Sequence, residues 1–254
     1  MSGFLPDFAG AEVRVSPNFG QRVGISRPDM IILHYTGMTT GIGAEEWLCN
    51  PESQVSSHYL VHDDGRVVQM VRESDRAWHA GKSSWRGRTD INSCSVGIEI
   101  VNPGHILGYR KFGERQVDAV IALCRDIVRR QGIPPERVLA HSDVAPGRKI
   151  DPGEKFPWKR LAEAGVGHFI APVRIGREAG LRNGDSGLLV EQLQSMLSLY
   201  GYGVESSGTF DQQTETVVTA FQRHFRPRRV DGIADRSTVE TLRRLLAPLA
   251  SSLG

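Results

Sequence analysis

Apolar residues follow two different periods along this chain, and the shorter runs predict β-strands. Met30–Gly37 and Cys94–Asn102 are compact apolar runs that end in polar residues, as buried strands do. Val138–Ala140 is a third such run. Residues 58–71 alternate between apolar and polar positions around Asp64-Gly65, which is typical of a β-hairpin.

A second group of segments has the helical period. One helix is predicted over 42–50 and a longer one over 113–131, where Gly132 and two prolines stop it. The apolar stripe of the longer helix consists of Val117, Val120, Ile121, Cys124, Ile127 and Val128. Strands that alternate with helices predict an α/β fold, with a mixed β-sheet flanked by helices.

The C-terminal third of the chain has a different pattern. Residues 166–180 are rich in glycine without a clear period, which indicates a linker. Three helical patterns follow, and Asp235 or Ser237 is the expected N-cap of the last. We therefore predict a first domain over 1–165 and a small all-α three-helix domain over 181–254.

Composition excludes several classes of protein. A net charge of +2 gives no case for nucleic-acid binding. Three cysteines without C-x-x-C spacing argue against a disulfide framework, and Cys124 is expected in the core. No apolar stretch approaches the roughly 18 residues of a membrane span. The first ten residues lack the pattern of a secretory signal, so we expect a cytoplasmic protein. A periplasmic or secreted location is the alternative if a signal was removed.

The most informative segment runs from His141 to Gly153. His141 and Asp151 are two potential zinc ligands within eleven residues, and Pro152 restricts the backbone of Asp151. An Asp-Pro-Gly sequence can also be just a turn. Lys149 lies two residues before Asp151, and a cation there suits a reaction in which negative charge develops.

The remaining groups of a zinc-hydrolase site come from the two strands. His34 follows the apolar run that begins at Met30 and is the best third ligand. Glu99 interrupts the other apolar run, where a carboxylate is costly unless it is paired or functional. It is either a catalytic group or the buried partner of Arg76 or Lys149.

These residues resemble a known family, the zinc-dependent N-acetylmuramoyl-L-alanine amidases, whose fold is shared with peptidoglycan recognition proteins. The resemblance covers roughly residues 20–160. It rests on motifs that occur in the family's order: Ile32-Leu33-His34-Tyr35-Thr36, Ser57-His58-Tyr59-Leu60-Val61, Arg76-Ala77-Trp78-His79-Ala80-Gly81, Val96-Gly97-Ile98-Glu99, His141-Ser142-Asp143 and Lys149-Ile150-Asp151-Pro152-Gly153.

The resemblance implies a role for each group. His34, His141 and Asp151 would bind Zn²⁺, Glu99 would be the catalytic acid/base, and Lys149 would stabilise the oxyanion. The bond cut would join N-acetylmuramic acid to L-alanine, in intact peptidoglycan or in muropeptide fragments. Arg76, His79 and Asn92 resemble residues of the substrate cleft, whereas Trp78 could equally belong to the core. His58 and His62 are expected to be structural.

The C-terminal helices resemble the three-helix peptidoglycan-binding domain of wall hydrolases. The matching motifs are Gly184-Asp185-Ser186-Gly187, Leu193-Gln194, Gly201-Tyr202, Gly208-Thr209-Phe210-Asp211, Thr214, Phe221-Gln222 and Asp231-Gly232-Ile233. Such a domain would tether the enzyme to the wall, and its removal near residue 170 should spare activity on small substrates. A purely structural appendage is the alternative.

Two other functions compete with the amidase hypothesis. A recognition protein of this fold would bind without catalysis, but such proteins typically lose a zinc ligand, and all three are present here. A zinc peptidase that cuts within the stem peptide is the second.

Overall fold

The computed structural model describes residues 4–251, and its centre is a mixed sheet of six strands in the order β1-β5-β4-β7-β3-β8. Only β5 is antiparallel to its neighbour β4; the other adjacent pairs are parallel. A separate antiparallel pair is formed by β2 and β6. The strands are β1 (Ala11–Val13), β2 (Phe19–Gln21), β3 (Met30–Tyr35), β4 (Tyr59–Val61), β5 (Val67–Gln69), β6 (Asp75–Ala77), β7 (Ser95–Ile100) and β8 (Val138–Ala140).

The helices include the predicted ones and several single turns. They are α1 (Gly41–Leu48), α2 (Ile91–Cys94), α3 (Gly104–Leu107), α4 (Glu114–Gln131), α5 (His141–Val144), α6 (Trp158–Glu163), α7 (Leu188–Tyr200), α8 (Gln212–Phe225) and α9 (Arg236–Ser251). The predicted fold class is confirmed, and so are the long helix α4 and the hairpin of β4 and β5. No helix within residues 4–251 is long and apolar enough to cross a bilayer.

The strand period distributes side chains between two layers. Ile31 and Leu33 of β3 pack on the face that α4 covers, where Cys124 lies in the core as predicted. Met30 and Ile32 belong to the opposite face, because successive strand residues point to opposite sides. That opposite core continues into the C-terminal helices through Leu193, Leu197, Tyr202, Phe221 and Phe225.

The three C-terminal helices are therefore part of the layered structure. Residues 167–180 contain neither helix nor strand, yet the Val173 N–H donates to Thr241 Oγ1 of α9 at 3.2 Å. Asp235 caps α9 by accepting the Thr238 N–H at 2.9 Å, whereas Ser237 donates to the Val173 carbonyl. The domain boundaries at 165 and 181 remain predictions, but the two parts share a hydrophobic core.

Candidate metal centre and catalytic cleft

A cavity of about 280 Å³ opens at the carboxyl ends of β3 and β7. The two strands are parallel neighbours, and their register places His34 beside Glu99. The loop after β8 brings in the other groups, since α5 begins at His141 and the chain then returns at Lys149 and Asp151. The five predicted metal-binding and catalytic residues thus line one cavity.

Three of these side chains converge on one point. His34 Nδ1 lies 2.9 Å from His141 Nδ1 and 3.1 Å from Asp151 Oδ2. His141 Nδ1 lies 3.0 Å from Asp151 Oδ2. All three residues are buried, and together they form a group that could hold a metal ion. Ligand atoms of a tetrahedral zinc ion are roughly 3.3 Å apart, so the spacing fits one ion.

Hydrogen bonds to the outer nitrogens fix which atoms face this point. The Ser95 hydroxyl donates to the Ile91 carbonyl at 2.6 Å and therefore accepts from His79 Nε2, 3.1 Å away. Burial, followed by the neighbouring His34, holds the pKa of His79 well below its usual value, so its ring has a single N–H. His79 Nδ1 consequently accepts the Nε2–H of His34 at 3.0 Å.

The same reasoning applies to the second histidine. His141 Nε2 donates to the Ala80 carbonyl at 3.0 Å, because a carbonyl can only accept. Both histidines therefore direct their Nδ1 atoms toward the Asp151 carboxylate. Two imidazole nitrogens and a carboxylate oxygen that converge at this distance are the donor set of a zinc site, so the residues fit a zinc ion.

Burial and neighbouring charge set the protonation states. Burial, followed by His141, lowers the pKa of His34 to about 4, so the ring is neutral at pH 7. Burial opposes ionisation of Asp151, but the contacts of its carboxylate with His141 and His34 outweigh burial, and the pKa of Asp151 lies below the ordinary value. Both states are those of metal ligands.

Glu99 differs from the ligands in having an unsatisfied oxygen. Its Oε2 atom is buried and has no hydrogen-bond partner among the described residues. Burial and the Asp151 carboxylate raise the pKa of Glu99 well above its usual value, while the charge of Lys149 acts in the opposite direction. Arg76 forms an ion pair with Asp90 at 2.9 Å. The alternative in which Glu99 is the buried partner of Arg76 is therefore wrong. A free carboxyl oxygen in the cavity is available to exchange a proton with a substrate or water.

The three predicted substrate contacts occupy different positions. His79 lines the cavity, but both its ring nitrogens are engaged by His34 and Ser95. Asn92 is buried, and its Oδ1 accepts the backbone N–H groups of His79 and Ala80. Neither Asn92 nor Arg76 borders the cavity. Substrate binding by Arg76, His79 and Asn92 remains a prediction. In the structure these side chains contact other residues of the chain.

Other cavity residues carry little signal in the sequence. Trp78 and Trp47 both line the cavity, and Trp47 is 46% exposed. The contacts of the Ser95 hydroxyl and of the Ala80 carbonyl were also not predicted, since nothing in the sequence indicates which groups they would meet. His58 accepts the Gly97 N–H at 2.9 Å, and His62 Nε2 lies 2.9 Å from Glu45 Oε2. These contacts agree with structural roles for His58 and His62.

Two family models match the chain. The model described as N-acetylmuramoyl-L-alanine amidase matches residues 25–154, and the model described as a putative peptidoglycan binding domain matches residues 186–242. The chain is 40% identical over 199 residues to the N-acetylmuramoyl-L-alanine amidase AmiD of Escherichia coli K12, covering 74% of this chain and 72% of AmiD. It is 36% identical over 110 residues to the 1,6-anhydro-N-acetylmuramyl-L-alanine amidase AmpD of Haemophilus influenzae, covering 43% of this chain and 58% of AmpD.

Solved structures extend the similarity to both parts of the chain. The complex of E. coli AmiD with anhydro-N-acetylmuramic acid-L-Ala-D-γ-Glu-L-Lys has a TM-score of 0.75 and 33% identity, covering 91% of this chain and 98% of AmiD. Pseudomonas aeruginosa AmpDh3 in complex with an anhydromuramic pentapeptide has a TM-score of 0.72 and 29% identity, covering 93% and 96%. The arrangement of sheet and C-terminal helices is therefore shared with these proteins.

Proposed function

The chain belongs to the N-acetylmuramoyl-L-alanine amidase family, and on that premise we propose that it is a zinc enzyme of peptidoglycan turnover. Its substrate is the amide between N-acetylmuramic acid and L-alanine. One observation carries the zinc assignment: two imidazole nitrogens and a carboxylate oxygen, from His34, His141 and Asp151, converge beside the unpartnered Oε2 atom of Glu99.

Each residue of the cleft has a task in this reaction. A bound zinc ion supplies Lewis-acid chemistry, which makes water nucleophilic and polarises the carbonyl. Glu99 accepts the proton of the attacking water and delivers it to the leaving amine of L-alanine. The Lys149 ammonium stabilises the negative charge that develops on the carbonyl oxygen.

Fragments of the wall are the favoured substrate class. AmiD and AmpDh3 are described in complex with anhydromuramic peptides. Trp47 and Trp78 line the cavity beside the metal-binding group and offer aromatic surface to such a peptide. Activity on such fragments implies a role in wall recycling, in the cytoplasm or in the periplasm.

Product masses test the proposal. The protein is incubated with a defined anhydromuropeptide, and the products are identified by mass spectrometry, with Glu99→Gln as the matched control. We expect anhydro-N-acetylmuramic acid and an intact stem peptide from the wild type only. Shortened stems would instead identify a peptidase, and an unchanged substrate would identify a binding protein.

A further inference from the structure

The contact between the C-terminal helices and the catalytic loop centres on one buried carboxyl group. Asp143 has no solvent exposure and lies in α5, two residues after His141. Its Oδ1 accepts the hydroxyl of Tyr202 at 2.6 Å, and its Oδ2 accepts Nδ1–H of His224 at 2.6 Å. Tyr202 follows α7 and His224 lies in α8, so both donors come from the C-terminal unit.

The same carboxyl group closes the turn that carries His141. Asp143 Oδ2 also accepts the backbone N–H of Ala140 at 2.8 Å, which fixes the start of α5. Ser142, in the same turn, donates its backbone N–H to the Asp151 carbonyl at 3.0 Å. A shift of Asp143 would therefore move the backbone of both loop-borne ligands.

Packing holds the two donors in place. The His224 ring stacks on Trp158 with a centroid separation of 3.7 Å. The Tyr202 ring meets the fully buried Trp85 edge-on at 4.9 Å. Among the described residues, the Asp143 carboxyl accepts hydrogen bonds from Ala140, Tyr202 and His224 and forms no ion pair with Arg or Lys. These hydrogen bonds satisfy a carboxyl group that water cannot reach.

We propose that Tyr202 and His224 are positioning residues of the metal centre, acting on His141 through Asp143. The C-terminal unit then contributes to catalysis on every substrate, in addition to any binding of the wall. This inference rests on the proposed function in one respect, the role of His141 as a zinc ligand.

Zinc affinity measured by competition with a chromophoric chelator tests the inference. Tyr202→Phe removes one hydroxyl without changing the ring, and it should raise the zinc Kd by about 3- to 10-fold. Tyr200→Phe is the matched control, because that buried hydroxyl contacts His168 at 3.1 Å and not Asp143. It should leave the zinc Kd within about twofold of wild type at a similar loss in melting temperature.

Two variants of His224 separate positioning from packing. His224→Phe keeps a ring to stack on Trp158 but has no N–H for Asp143, whereas His224→Asn has an amide N–H and no ring. If positioning is the role, His224→Asn should bind zinc about 3- to 10-fold more tightly than His224→Phe, although His224→Phe is the more stable protein. The kcat on a soluble muropeptide should follow zinc affinity.

The outcomes are distinguishable. The inference is overturned if Tyr202→Phe and Tyr200→Phe have the same zinc Kd, or if zinc binding follows melting temperature across the His224 variants. The His224 pair decides the matter even if Tyr202→Phe does not fold. Failure of the proposed function has a different signature, in which wild type and His141→Ala retain equal amounts of zinc.

Discussion

The hydrogen bond between His34 and His79 decides how the first ligand faces the cavity. It depends on Ser95, whose hydroxyl is committed to the Ile91 carbonyl. Ser95, which is linked to the predicted ion through His79 and His34, therefore selects the tautomer of His34. His79, which resembles a substrate residue, has this second role in the structure.

Ser95→Ala tests that chain of hydrogen bonds. Without the hydroxyl, His79 can place its proton on Nδ1 and stop accepting from His34, so zinc affinity should fall by roughly 10-fold. Ser93→Ala is a suitable control, since Ser93 lies two residues earlier in α2 and its hydroxyl donates to Asp90. Chelator competition should separate the two variants, and equal zinc Kd values would contradict the account.

Glu99→Gln tests the catalytic carboxyl. The amide has nearly the same shape but cannot exchange a proton, so kcat should fall by roughly 10²–10⁴. Zinc content should stay at the wild-type level, because Glu99 is not one of the three converging donors. Survival of activity within a few-fold would assign the acid/base role to another group.

At the scale of elements, β7 passes so close to the His79 ring that only glycine fits at position 97 of the strand. A Cβ on Gly97 would lie 2.5 Å from His79 Cγ. The glycine has an ordinary strand conformation, so this restriction is steric and has no backbone-strain component.

Gly97→Ala should therefore displace the ring that orients His34. We expect a loss of about 1–3 kcal/mol in the free energy of unfolding, together with weaker zinc binding. Gly20→Ala in β2 is the control, because the nearest atom to its added Cβ is Trp78 Nε1 at 4.0 Å. Denaturant unfolding and chelator competition measure the two effects. Unchanged zinc binding in Gly97→Ala would show that the ring position is unimportant.

Local patterns predicted the elements well. The apolar run of β3 and the apolar stripe of α4 are properties of short segments, and both are found in the structure. The convergence of His34, His141 and Asp151 could be predicted because His141 and Asp151 lie close in sequence and His34 lies near the end of a strand. Ala80, Ser95 and Tyr202 could not, since their contacts join distant segments and a backbone carbonyl has no sequence signature.

At the scale of the whole molecule, the C-terminal unit shares one hydrophobic core with a face of the sheet. Sequence alone predicts that truncation near residue 170 spares activity on small substrates. The shared core leads to a different expectation, because removal would uncover the fully buried Trp85, whose ring packs against Tyr200 and Tyr202, and would take two hydrogen-bond donors from Asp143.

A chain ending near residue 170 should therefore be strongly destabilised and lose activity on a soluble muropeptide as well as on polymeric wall. Circular dichroism during heating and product release on both substrates are the measurements. A truncated chain that melts like wild type and keeps full activity on the soluble substrate would restore the tethering model.

Titration of the metal-free protein with zinc tests the central claim most directly. Release of intact stem peptide is followed as zinc is added to the wild type and to His141→Ala. Activity of the wild type should rise linearly and stop at one zinc per chain, since His34, His141 and Asp151 form one site. His141→Ala should stay inactive over that range, because two ligands hold zinc weakly. Full activity before zinc is added, or an equal response of His141→Ala, would contradict the account.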